Sequence, residues 1–321
     1  MKSSNISEEY INWKKLLHND AIKQITDEVK EKGLIIPSDT MKIDFDEKNL
    51  STSIPWILWD MTGVDDTIVL DVLWKYLTIV SNIKQIDDIE DGMLTEINNL
   101  STGTALNIFS ILNIYEKYWL NIDDIIMPLF TSVNAQNKDL FIMDENELDL
   151  DYLIKIMKEK NLSIKMLSSI YSKNSEIKKS DIDDFLNNFA IYAQIMDDIK
   201  DLKEDLKYSD SSHLIYQLKE KYNDINTNNI LELLLESWIL KQSLELAVKY
   251  LEESIKIVSN LNSSLEDNKK KSSKNLIVFL STELLNLKDI IKNVDESDIN
   301  GLWNELNIKK IEEVIQKGAS S

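Results

Sequence analysis

Apolar residues recur at intervals of three and four along nearly the whole chain, the spacing that gathers them on one face of a helix. Val69, Leu73, Tyr76, Val80 and Ile83 form one such stripe and predict a long helix from about Asp66 to Asp91, ended by Gly92. The same spacing predicts helices over Tyr10 to Lys30 (closed by Lys32-Gly33), Thr104 to Trp119, Asp123 to Val133, Tyr152 to Tyr171 and Asp181 to Lys207. Asn229 followed by Glu232 has the form of a capping box and opens a very long helix to about Asn262. Two further helices follow, Asn275 to Asn293 and Asp298 to Lys317. Residues 34–54 read as irregular, with Pro37 inside and Pro55 just beyond, and Glu266 to Lys274 reads as a charged, mobile connector. No solenoid-type repeat and no long interdomain linker interrupts this pattern. The expectation is an all-α fold, with residues 1–321 forming one large helical bundle.

Composition agrees and narrows the chemistry. The chain of 321 residues is 43% apolar, with only six Gly and three Pro, which favours long helices joined by short polar turns. No apolar run approaches the roughly 18 residues of a membrane span, and residues 1–9 carry no apolar signal core. A cytoplasmic protein without a transmembrane segment is expected. The absence of Cys excludes disulfides and thiolate chemistry, and two distant His, His18 and His213, argue against a His-based zinc site. A net charge of −20 opposes nucleic acid as a partner. All 36 basic residues are Lys, so the bidentate Arg clamp usual for phosphate is missing.

Two segments have the form Asp-Asp-x-x-Asp: Asp87-Asp88-Ile89-Glu90-Asp91 and Asp197-Asp198-Ile199-Lys200-Asp201. A single match of this kind arises by chance in roughly one sequence in three of this length, so context has to decide. In the first, the inward stripe runs on at helical spacing into Asp87 and Asp91. In the second, Leu186, Ala190 and Ala193 lead to Asp197 and Asp201 in the same way. Several unpaired carboxylates on an inward face would cost many kcal/mol or take up protons. A hard divalent cation removes that conflict, and Mg²⁺ typically takes one or two carboxylates together with phosphate oxygens and water. Two such walls facing each other would hold a polyanion through bridging metal. Asp65-Asp66, Asp123-Asp124 and Asp183-Asp184 lack the third Asp and read as helix N-terminal or surface charge.

On these residues the chain resembles the trans-isoprenyl diphosphate synthase family, whose two Asp-rich motifs sit on facing helices. The second motif of that family is typically preceded by Gln, matched here by Tyr192-Ala193-Gln194-Ile195-Met196-Asp197-Asp198-Ile199-Lys200-Asp201. The order of parts agrees from about Ser51 to Leu218, including a Gly-Thr-Ala-Leu-Asn segment at Gly103 to Asn107. The resemblance implies an isoprenoid (terpenoid) synthase bundle that acts on an allylic isoprenyl diphosphate. It implies three Mg²⁺ ions, two on Asp87 and Asp91 and one on Asp197, with Asp88, Asp198 and Asp201 in support. Lys158 or Lys160, Lys203 or Lys207, and Gln194 stand where the family contacts substrate. It further implies a homodimer. Trp56, Trp59, Trp74, Phe109, Tyr115, Phe189 and Tyr192 are the aromatics available to face an allylic cation, each also a candidate for plain core.

The departures are equally specific. The family's Gly-Lys-x-x-Arg-Pro segment is replaced by Leu50-Ser51-Thr52-Ser53-Ile54-Pro55, and the Arg pair after the first motif by Gly92-Met93-Leu94-Thr95-Glu96. The basic residues that hold isopentenyl diphosphate are therefore absent. The pattern resembles branches that bind one allylic diphosphate and use the cation otherwise, namely bacterial pheromone-modifying enzymes that prenylate a peptide Trp, and synthase-like terpene cyclases. The expectation is prenyl transfer to a peptide or small-molecule acceptor. A cyclising lyase and a catalytically inactive partner subunit are the alternatives.

Overall fold

In the computed structural model the described residues are 50–73, 75–77, 79, 100–121, 123–141, 150–202, 205–206 and 212–295, together with Asn19 and Lys23. They contain helix and turn and no strand. The elements are α1 (Leu50–Thr62), α2 (residues 66–73, with 75–77 and 79 also helical), α3 (Leu100–Tyr118) and α4 (Asp123–Phe141). After them come α5 (Leu150–Lys160), a 3₁₀ turn (Asn161–Lys165), α6 (Met166–Lys173) and α7 (Lys179–Lys200). The chain continues through α8 (His213–Lys219), α9 (Ile230–Glu236), α10 (Ile239–Ser264) and α11 (Asp267–Asp295). The predicted helices Tyr10 to Lys30 and Asp298 to Lys317, and the half of Asp66 to Asp91 that carries the first acidic motif, lie outside the described residues.

The bundle is organised around α7 and α10. α10 buries Leu240, Leu244, Ala247, Leu251 and Val258 at helical spacing, and packs against both α7 and α11. Ser243 and Ser254 lie on the same buried face, where a small side chain lets a neighbouring helix approach. The Ser254 hydroxyl is satisfied by donating back to the Tyr250 carbonyl at 2.9 Å. One buried apolar cluster extends from Ile54 to Val294 and draws residues from every helix between α1 and α11.

Three expectations are corrected. The stretch around Pro55 is helical, with Pro55 in the interior of α1. Pro costs a helix one hydrogen bond, but α1 buries Ile54, Trp56, Ile57, Leu58 and Met61, and the Tyr171 hydroxyl donates to the Pro55 carbonyl at 2.8 Å. Tertiary burial outweighs the local penalty. The charged stretch from Glu266 leads directly into a continuous α11, which opens at Asp267. Lys270 pairs with Asp267 one turn away at 2.9 Å, and Ser273 and Leu276 are buried. Finally, the predicted capping box does not form. Asn229 accepts from the Asn226 backbone at 2.8 Å and donates to the Asp224 carbonyl at 3.0 Å, so its side chain closes the preceding turn instead.

Long helices are also divided where side chains intervene. Ser132 on α4 donates its hydroxyl to the Lys160 carbonyl, and the chain tightens there into the 3₁₀ turn between α5 and α6. Trp238 adopts a left-handed conformation (φ 65) and separates α9 from α10.

Candidate functional site

The second acidic motif occupies the C-terminal end of α7. The sequence stripe leads out of the core toward an accessible rim: Leu186 and Ala190 are buried, Ala193 is half-buried and Asp197 is exposed. The buried carboxylate is Asp198, which follows Ile191 and Ile195 on the core side. Asp201 caps the helix, its N–H donating to the Asp197 carbonyl at 2.8 Å. Asp205 lies one turn further on, with its N–H on the Asp201 carbonyl at 2.9 Å. Carboxylates at a helix C-terminus oppose the negative end of its dipole. This arrangement is therefore unfavourable unless positive charge is supplied.

Electrostatics show where the repulsion is relieved and where it is not. Burial alone would raise Asp198, but the charge and hydrogen bond of His213, the charge of Lys160 and a bond from Gln194 hold it below the usual carboxylate range. Asp205 goes the other way. Burial first, then the charges of Asp198, Asp201 and Asp197, push its carboxyl up to about 9, with Lys160 opposing. Four carboxylates thus share one helix end, and the Lys160 cation acts on both Asp198 and Asp205.

Asp198 is held by a chain of buried groups. Gln194 donates to its Oδ1 at 2.7 Å. Its Oδ2 accepts from the His213 backbone N–H at 3.3 Å and from His213 Nδ1. His213 Nε2 meets the Ser243 hydroxyl on α10 at 3.2 Å, and Asn161 donates to Gln194 Oε1 at 3.3 Å. The order Ser243, His213, Asp198 is that of a hydrolase relay. Here it is structural, because a nucleophile must be reachable and both Ser243 and His213 are buried, Ser243 in the interior of a packed helix.

Lys158 and Lys160 are alternatives in the sequence, and the structure separates them. The Lys160 charge acts on Asp198 and Asp205. The Lys158 charge instead acts on Lys165, whose own value is lowered by burial against the pull of Asp183 and Asp184. Gln194 lies on Asp198, not on an open face. Asp87, Asp88, Asp91, Lys203 and Lys207 lie outside the described residues, as do the side chains of Trp74 and Phe109. Among the aromatics, Phe185, Phe189 and Tyr192 form a ladder along α7 with successive centroids 5.5 Å apart. Trp56 stands edge-on to Trp59 at 5.9 Å. Tyr115 is exposed, so it lines no dry cavity. His213, Ser243 and Asn161 were not singled out by the sequence, since no spacing rule links a helix end to a His fifteen residues on or to a Ser on another helix.

Among the described residues no three or more His, Cys, Asp or Glu are grouped to hold a metal ion. Asp197 and Asp201 carry carboxylate oxygens, the donor type that Mg²⁺ prefers, at a helix end where burial first and then the acidic neighbours push the Asp205 carboxyl up.

No protein-family model matches the sequence, and no curated protein matches it. A solved structure does: octaprenyl pyrophosphate synthase from Helicobacter pylori superposes with a TM-score of 0.55, over 84% of this chain and 99% of its own, at 16% sequence identity. The all-α isoprenyl synthase fold expected from the sequence is therefore the fold observed.

Proposed function

We propose that this chain is a Mg²⁺-dependent prenyltransferase that ionises an allylic isoprenyl diphosphate and passes the prenyl group to an acceptor other than isopentenyl diphosphate. The observation that carries the proposal is the crowding of Asp197, Asp198, Asp201 and Asp205 at the end of α7, on a fold similar to that of a prenyl diphosphate synthase. Asp197 and Asp201, with Asp87 and Asp91 of the first motif, are the groups that would hold three ions. Mg²⁺, when bound, supplies neutralisation of the diphosphate as it departs. Lys160 adds a cation that acts on the same carboxylates, and of Lys158 and Lys160 it is the one proposed to meet phosphate oxygen. The side chains of Phe189 and Tyr192 lie on the helix that ends in the acidic motif, where aromatic faces can stabilise an allylic cation. The segments that would hold a second diphosphate lack basic residues, which leaves the cation for another acceptor.

The lyase is the alternative reading. Asp197, Asp201 and Asp205 stand at i, i+4 and i+8, the spacing of the metal-binding triad in class I cyclases, but with Asp where that triad has Ser or Thr and then Glu. Product analysis separates the two: purified protein is incubated with Mg²⁺ and allylic diphosphates of increasing chain length, alone and with Trp-containing peptides. A prenylated peptide supports transfer, and a cyclic hydrocarbon formed without acceptor supports the lyase. Absence of any organic product under all conditions would leave only the inactive partner subunit.

Self-association and a cytoplasmic location belong to the same proposal. α3 exposes Ile108, Leu112 and Tyr115 at helical spacing, with Trp119 just past its end, and α4, which follows after residues 119–122, exposes Met127 and Phe130. These side chains leave apolar surface on the order of 600 Å² uncovered, most of the roughly 800 Å² per partner in a standard interface. A second copy of this chain is the occupant proposed. No helix among the described residues is long and apolar enough to cross a membrane.

A further inference from the structure

No further inference is drawn: the strongest candidate, the surface patch at the left-handed joint between α9 and α10, where the Trp238 indole is exposed with the Lys241 ammonium 5.1 Å from its ring centroid, carries nothing because nothing in the structure shows what covers it.

Discussion

Asp197 and Asp198 are neighbours in sequence and opposites in environment: one exposed at the rim, the other buried against His213 and Gln194. Their substitutions should therefore separate stability from function. Asp198→Ala leaves a buried imidazole and a buried amide without their acceptor, and is expected to lower unfolding free energy by about 3 kcal/mol. Asp197→Ala removes an exposed side chain and should change stability by less than about 0.5 kcal/mol while reducing metal-dependent activity by about 10²-fold or more. Urea unfolding of both variants checks the pair, and equal destabilisation would contradict the assignment. At this scale the sequence was informative about residue type and spacing but not about which Asp faces inward. The stripe through Leu186, Ala190 and Ala193 does reach Asp197, yet a helix that ends at Lys200 carries it to the surface, not deeper into the core. The partners of Asp198 are set by how α8 and α10 meet α7, which no local pattern encodes.

Between elements, two joints are open to direct test. Gly63 ends α1 with φ +61, and a Cβ there would stand 2.6 Å from the Lys269 Cδ of α11. Gly63→Ala should destabilise the protein by about 1–2 kcal/mol, mainly through the left-handed backbone. Adding Lys269→Ala should recover only the steric part, as denaturation midpoints would show. The second joint is Asp71 of α2, which accepts from Lys75, from Lys117 of α3 and from the Tyr118 hydroxyl, each at 2.7 Å. Burial alone would raise Asp71, but these three bonds outweigh it and hold the carboxyl below its ordinary 3.8. A depressed folded value gives stability that is complete above the ordinary value and is lost as pH falls through the folded one. The stability gap between the unmodified chain and Asp71→Asn should thus be full at neutral pH and shrink below about pH 4. A gap independent of pH would rule out this joint as a source of acid sensitivity. Helix positions from Thr104 onward were largely legible because their apolar period is strong. Pro55 and the Lys-rich start of α11 were misread, since local propensity there is overridden by burial of Ile54, Leu58 and Leu276.

For the molecule as a whole, the fold was legible and the assembly less so. A nearly continuous helical period with few Gly and Pro leaves a bundle as the natural solution, and the resemblance identified which bundle. The exposed stripe on α3 was hidden in the sequence, because its apolar residues look like any core-facing set until the surrounding helices are placed. If a second copy covers it, sedimentation should give a dimer, and Leu112→Asp should give a folded monomer. A dimer unaffected by Leu112→Asp would place the interface elsewhere. Joint action of the two acidic motifs on one diphosphate is tested by the rate of diphosphate release from an allylic substrate with Mg²⁺. The rate is compared among the unmodified chain, Asp87→Ala, Asp197→Ala and the surface control Asp65→Ala. Asp87→Ala and Asp197→Ala are each expected to reduce it by about 10²-fold or more, Asp65→Ala to match the unmodified chain, and chelation of Mg²⁺ to stop release in all four. Release that persists in either acidic-motif variant, or that does not depend on Mg²⁺, would mean that the two motifs do not form the ionising site.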